Sequence, residues 1–130
     1  MKDENDGRKR TIARAFVEAG VQATVYQAGA QHRNERERRK ACLRALVDDH
    51  AEKVNAHIVM DEDQGMVNFD NQMLIEYTRT TGCRDSLRYE HKRPPAESLL
   101  AIPDAIAWCW ARGGDWRKLV KPAVPVVRDV

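Results

Sequence analysis

Serine is nearly missing from this chain, cysteine is sparse, and no apolar run is long enough to span a bilayer. Only Ser86 and Ser98 occur, and neither lies in a G-x-S-x-G elbow, which argues against a serine hydrolase. Cys42, Cys83 and Cys109 are odd in number, far apart and form no C-x-x-C pair. That spacing argues against a disulfide framework and a zinc ribbon. Cys42 and Cys109 fall inside helical apolar patterns, where a thiol serves as a small buried hydrophobe. The chain also lacks a P-loop, G-x-G-x-x-G and H-E-x-x-H, against a nucleoside triphosphatase, a dinucleotide enzyme or a zincin. MKDENDGRKR has no apolar core of the signal-peptide kind, so the expected location is cytoplasmic, with no membrane partner.

What is present describes a soluble globular protein. Of 130 residues, 42% are apolar and 32% charged, enough for one modest core within a single domain over 1–130. The net charge of +2 is too small to imply a nucleic-acid or membrane partner by itself. Residues 1–7 read as disordered.

Helical and strand-like patterns alternate along the chain, without internal repeats. Residues 8–19 read as a helix facing inward with Ile12, Phe16 and Ala19, stopped by Gly20. QATVYQ (22–27) reads as a short strand. A longer helix is expected over 35–54, opened by Asn34 with Glu37 in capping-box spacing, its inward face Leu43, Leu46, Val47, His50 and Val54. Residues 56–60 read as a buried strand leading into Asp61, Glu62 and Asp63. Residues 66–81 form another apolar stripe through Met66, Phe69, Met73, Leu74 and Tyr77, ended by Gly82. Leu87–Tyr89 is the core of a third strand, closed by Pro94 and Pro95. Pro103 suits a first helical turn. The expectation is therefore a kinked helix over 97–112, or a turn followed by a helix from 103, stopped by Gly113 and Gly114. Residues 119–130 read as a tail or edge strand. Together these elements predict an α/β fold with a small, mainly parallel sheet of three to four strands alternating with helices.

In such sheets, sites gather at the carboxyl ends of strands. Asp61 and Asp63 fall there, and Asp70 stands one turn into the next helix. Asp104 falls in the first turn of the last helix, among the apolar residues Ile102, Ala105 and Ile106. Converging carboxylates form a hard-oxygen site suited to Mg2+ or Mn2+, which can activate water for phosphodiester cleavage. Each acid alone also reads as a cap or a solvated loop residue. His91 is a candidate ligand or general base, or else a surface hydrogen-bonding residue at a strand end, with Tyr89 on the same strand face. Arg33, Arg36, Arg38, Arg39, Lys40 and Arg44 could follow phosphates, but interleaved acids also make them a solvated helix face. Trp108, Trp110 and Trp116 do not form one stripe, and at least one reads as core.

The segments HIVMDED (57–63), Asp70, YEH (89–91), ESLLAIPDAIAW (97–108) and the closing GGDWRK resemble a bacterial group, domain of unknown function 3800, over about residues 20–118. That resemblance implies an RNase H-like fold, divalent-metal binding and cleavage of nucleic acid. It matches Asp61 to the acid at the end of the family's central strand, Asp104 to its late helical aspartate, and Glu97 to the acid opening its closing motif. The family pattern opens with an acidic strand that has no counterpart here; Glu4 and Asp6 lie in a polar stretch. The expectation is thus a partial or degenerate RNase H-like domain. Its candidate catalytic residues are Asp61, Asp104 and His91, and its candidate metal ligands are Asp61, Asp104, Asp70 and Glu97. The alternative is a non-catalytic module that forms a homodimer or binds another protein through an exposed sheet edge.

Overall fold

Two compact units account for the chain: 1–25 with 98–128, and 26–97 with 129–130. The computed structural model describes residues 4–53, 56–61, 65–93 and 98–130. Val54, Glu62, Asp63, Pro94, Pro95 and Glu97, all used in the sequence reading, lie outside the described residues. The fold is α/β, as the alternation implied. Its four described strands are divided between two two-stranded sheets, one pairing β1 (Thr24–Gln27) with β4 (Val126–Asp129) and the other β2 (Ala56–Asp61) with β3 (Leu87–Lys92).

The first unit is helical. α1 (Asp6–Glu18) begins at Asp6 rather than at residue 8, because the Asn5 side chain accepts from Arg8 N–H and caps the first turn. Its inward face centres on Lys9 and Ala13, a small rotation from the predicted one, and Ala19 is exposed. Lys9 is tolerated there because its ammonium lies 4.2 Å from the centroid of Trp108. After a 3₁₀ turn at Ser98–Leu100, α4 (Ala101–Arg112) starts early enough to place Pro103 in its first turn. Gly113, at φ 75°, ends it. The second glycine opens a helix that the sequence pattern did not predict, α5 (Gly114–Val120). Ala13, Cys109 and Val120 form the core, with all three tryptophans packed against it. Trp108 meets Trp116 edge to face at 4.9 Å. The tryptophans therefore serve packing in this unit.

The second unit is a β-α-β arrangement with an additional helix. α2 (Glu35–His50) is capped by Asn34, whose side chain accepts from Glu37 N–H at 3.0 Å. β2 (Ala56–Asp61) and β3 (Leu87–Lys92) pair in parallel, with Met60 opposite His91 and Asp61 opposite Lys92. α3 (Val67–Thr80) connects them, and Gly82, at φ 72°, turns the chain out of that helix. Leu43 and Val47 of α2 meet Leu74 and Tyr77 of α3, and Cys83 and Leu87 complete the core. Ala56, Ile58, Met60 and Tyr89 pack against it from the strands. β2 is half-buried rather than fully buried: Ala56, Ile58 and Met60 pack against the core, whereas His57 and Asp61 are exposed. On that strand pair His57 reaches Glu90 at 2.9 Å, a partnership outside the core. β1 (Thr24–Gln27) pairs with β4 (Val126–Asp129), the edge strand expected in the tail.

Candidate functional site

The inward faces of α2 and α3 each carry one charged residue. On α3 the apolar series Met66, Met73, Leu74 and Tyr77 continues through Asp70. On α2 the series Leu43 and Val47 continues back one turn to Arg39. Helical spacing brings both charges to the packed side of their helices. Asp70 is fully buried. Its carboxylate accepts from Arg39 through both oxygens, Nε to Oδ1 at 2.6 Å and Nη2 to Oδ2 at 2.7 Å. Such a two-pronged, charge-assisted pair is what makes a buried carboxylate tolerable. The position of Asp70 in the first turn of α3 adds a favourable helix dipole.

β3 supplies a third member. His91 turns inward from the strand end with only 8% of its side chain exposed, so it is not a surface hydrogen-bonding residue. Its Nε2 stands 3.6 Å from Asp70 Oδ2, beyond a direct hydrogen bond. That nitrogen is buried and has no hydrogen-bond partner among the described residues. An unmade bond of this kind carries a desolvation cost of about 1–3 kcal/mol.

Arg39 also faces outward. One third of its side chain is exposed. With Arg36, Arg38, Glu35, Cys42 and Met66 it lines an open cleft of about 610 Å³ on the second unit. Arg36 is steadied by stacking over Phe69, its guanidinium 5.3 Å from the ring centroid. The basic run of α2 thus contributes three arginines to the lining of one concavity. Burial pushes the Cys42 thiol above the ordinary range, which lowers its thiolate fraction, and the nearby Arg39 only partly opposes this. Cys109 in the first unit is likewise pushed up by burial, with Lys9 opposing.

Of the residues singled out from sequence, Asp70 and His91 are brought together. Asp61 ends β2 and is exposed. Asp104 does occupy the first turn of α4, and its neighbours Ala105 and Ile106 are buried as expected, but Asp104 itself is exposed. It belongs to the first unit, whereas Asp61, Asp70 and His91 belong to the second. Glu97 lies outside the described residues. Among the described residues no group of three or more His, Cys, Asp or Glu side chains is placed to hold a metal ion. Both oxygens of Asp70 are engaged by Arg39, so that carboxylate is not presented as a ligand. In the sequence Arg39 stands out from its basic run by one signal only, a place four residues before Leu43 on the apolar face. Among the described residues no helix is long and apolar enough to cross a membrane.

These features define an α/β unit with a buried Arg–Asp–His cluster beneath an arginine-lined cleft. No family model, curated protein or solved structure matches the chain.

Proposed function

We propose that the chain binds the phosphodiester backbone of nucleic acid in the cleft along α2. The observation that carries this reading is that Arg36, Arg38 and Arg39 line one concavity, with Glu35 beside them; because Arg39 already serves Asp70, Arg36 and Arg38 are the phosphate contacts. Guanidinium groups match phosphate oxygens in charge and in fork geometry, and apolar neighbours such as Met66 and Cys42 strengthen the attraction by excluding water. Such contacts position a backbone without reading its sequence. The resemblance to domain of unknown function 3800 points to the same ligand class. It also implies metal-dependent phosphodiester hydrolysis, with Asp61 and Asp104 as the acids to test.

Fluorescence anisotropy with labelled single-stranded DNA and RNA, at salt concentrations from about 50 to 200 mM, tests the binding. Saturable binding that weakens with salt is expected. In the Arg36→Ala, Arg38→Ala double variant the slope of log affinity against log salt should fall by about 1–2, one for each lost phosphate contact. An unchanged slope would refute the cleft as the binding site. Incubating the same oligonucleotides with Mg2+ or Mn2+ tests hydrolysis, which is expected to disappear in Asp61→Ala and in Asp104→Ala. Absence of binding together with a dimeric elution would favour the interaction module, to which the two-stranded β2–β3 sheet lends support.

A further inference from the structure

Among the described residues β2 has β3 along one side and no strand along the other. A strand so placed presents a row of unpaired N–H and C=O groups, which proteins guard with proline, with lysine and other charges, or with a covering element. The two edges of this sheet differ in that respect. β3 carries Arg88 and Lys92, whereas β2, AHIVMD, contains no proline, lysine or arginine. The inward residues of β2 are incompletely covered as well. Ile58 and Met60 pack against the core yet are only partly buried, while Leu87 of β3 is 2% exposed. A strand added beside β2 would satisfy its backbone and cover that apolar surface together.

We infer that the β2 edge pairs antiparallel with the β2 edge of a second copy of this chain, about a two-fold axis at Val59. This goes beyond the cleft reading and does not depend on it. The alternation of the strand selects both the occupant and the register. Residues opposite one another in an antiparallel pair point to the same face. Ala56, Ile58 and Met60 must therefore meet each other on the core side, and His57, Val59 and Asp61 must meet on the other. A slip of one residue would oppose inward apolar side chains to outward polar ones.

An axis at Val59 meets this requirement with every position matched. Ile58 faces Met60 of the second copy, Val59 faces Val59, and His57 faces Asp61. No like charges are opposed, and imidazole meets carboxylate on both sides of the axis. Axes at Ile58 or Met60 also keep the faces, but they set Val59 against His57 or Asp61. The contact at Val59 is the same patch used twice, so it closes as a dimer. The resulting sheet has the order β3-β2-β2-β3, with both copies' helices on one face and the two cores joined along Ile58 and Met60. It also leaves β3, with its cations, as the outer edge on each side, where such guards belong.

Sedimentation over a series of protein concentrations tests the association, and single cysteines test the register. The unaltered chain should reach twice the 14.9 kDa of one copy, and Val59→Lys should remain at 14.9 kDa because two ammonium groups then meet on the axis. Val59 is only half-buried, so the circular dichroism of this variant should be unchanged. Under oxidation by diamide, Val59→Cys should give a disulfide-linked dimer, since opposite Cα atoms lie about 4.5–5.5 Å apart in an antiparallel pair. His57→Cys should not, because four residues of strand, about 14 Å, separate it from its equivalent. The unaltered chain, whose three cysteines are buried or half-buried, is the background. A monomer at every concentration would overturn the inference. A dimer that persists in Val59→Lys, or that links through His57→Cys as readily as through Val59→Cys, would put the interface elsewhere, the β3 edge included, and overturn it equally. Should Val59→Lys lose its helical signal, the comparison of the two cysteine variants decides alone.

Discussion

Breaking the Arg39–Asp70 pair from the arginine side should cost far more stability than its place in a charge-rich helix suggests. In Arg39→Met the long apolar side chain is kept and the guanidinium removed. Asp70, with no exposed surface, then has lost both of its strong donors. Leaving a buried charge unpaired typically costs about 3–5 kcal/mol. Arg39 is one third exposed, so water can partly replace it, and the lower end, about 3 kcal/mol, is the expected value. That is a sizeable share of the roughly 5–15 kcal/mol available to a domain. Adding Asp70→Leu removes the stranded charge, and the double variant should recover most of the loss, because a buried pair and an apolar replacement are often nearly equal in stability. Urea unfolding followed by circular dichroism, completed as a double-mutant cycle, measures both numbers. A loss below about 0.5 kcal/mol in Arg39→Met, the range of a surface pair, would show that Asp70 is solvated and would refute the reasoning.

Two further outcomes follow from the backbone and from burial. Gly82 has φ 72°, and a Cβ there would meet nothing within 4 Å, so Gly82→Ala should cost about 1 kcal/mol through backbone strain alone, read as a fall in Tm. An unchanged Tm would mean that the turn after α3 relaxes freely. The Cys42 and Cys109 thiols are both held above their usual range by burial, so both favour the neutral form in the folded chain. The unfolded chain ionises first as pH rises, so the resulting stability is present below about pH 9 and declines above it. Slow alkylation of both thiols at neutral pH, against fast alkylation in urea, checks this. Rapid alkylation of folded Cys42 would contradict it.

Local rules carried much of the fold into view. Asn34 as a cap, Gly20 and Gly82 as helix stops and Pro103 in a first turn all act within a few residues, so their signal is complete in the sequence. The apolar stripe of α3 was visible for the same reason. α5 escaped because two adjacent glycines read as a stop, although only Gly113 ends a helix and Gly114 begins the next. The site was less legible. Asp104 lies among buried neighbours in sequence, but successive helical residues point about 100° apart, and Asp104 takes the outward direction while Ala105 and Ile106 turn in. Asp70 and Arg39 each sit on an inward face, and that periodicity is legible in the order of residues alone.

The amino-acid sequence by itself determined the α/β alternation, the Asn34 cap and the glycine stops, and the apolar faces of α2 and α3, whereas α2 ends at His50, short of the expected 54. Those are short-range consequences of backbone geometry and side-chain spacing. Only tertiary structure decided which charges meet. Arg39 and Asp70 are 31 positions apart, and His91 comes from a third element. A lone charge on an apolar stripe is ambiguous in sequence, because its meaning depends on whether an opposite charge arrives from another element. Packing α3 against α2, and β3 beside β2, supplied that partner to Asp70 and left His91 Nε2 without one among the described residues.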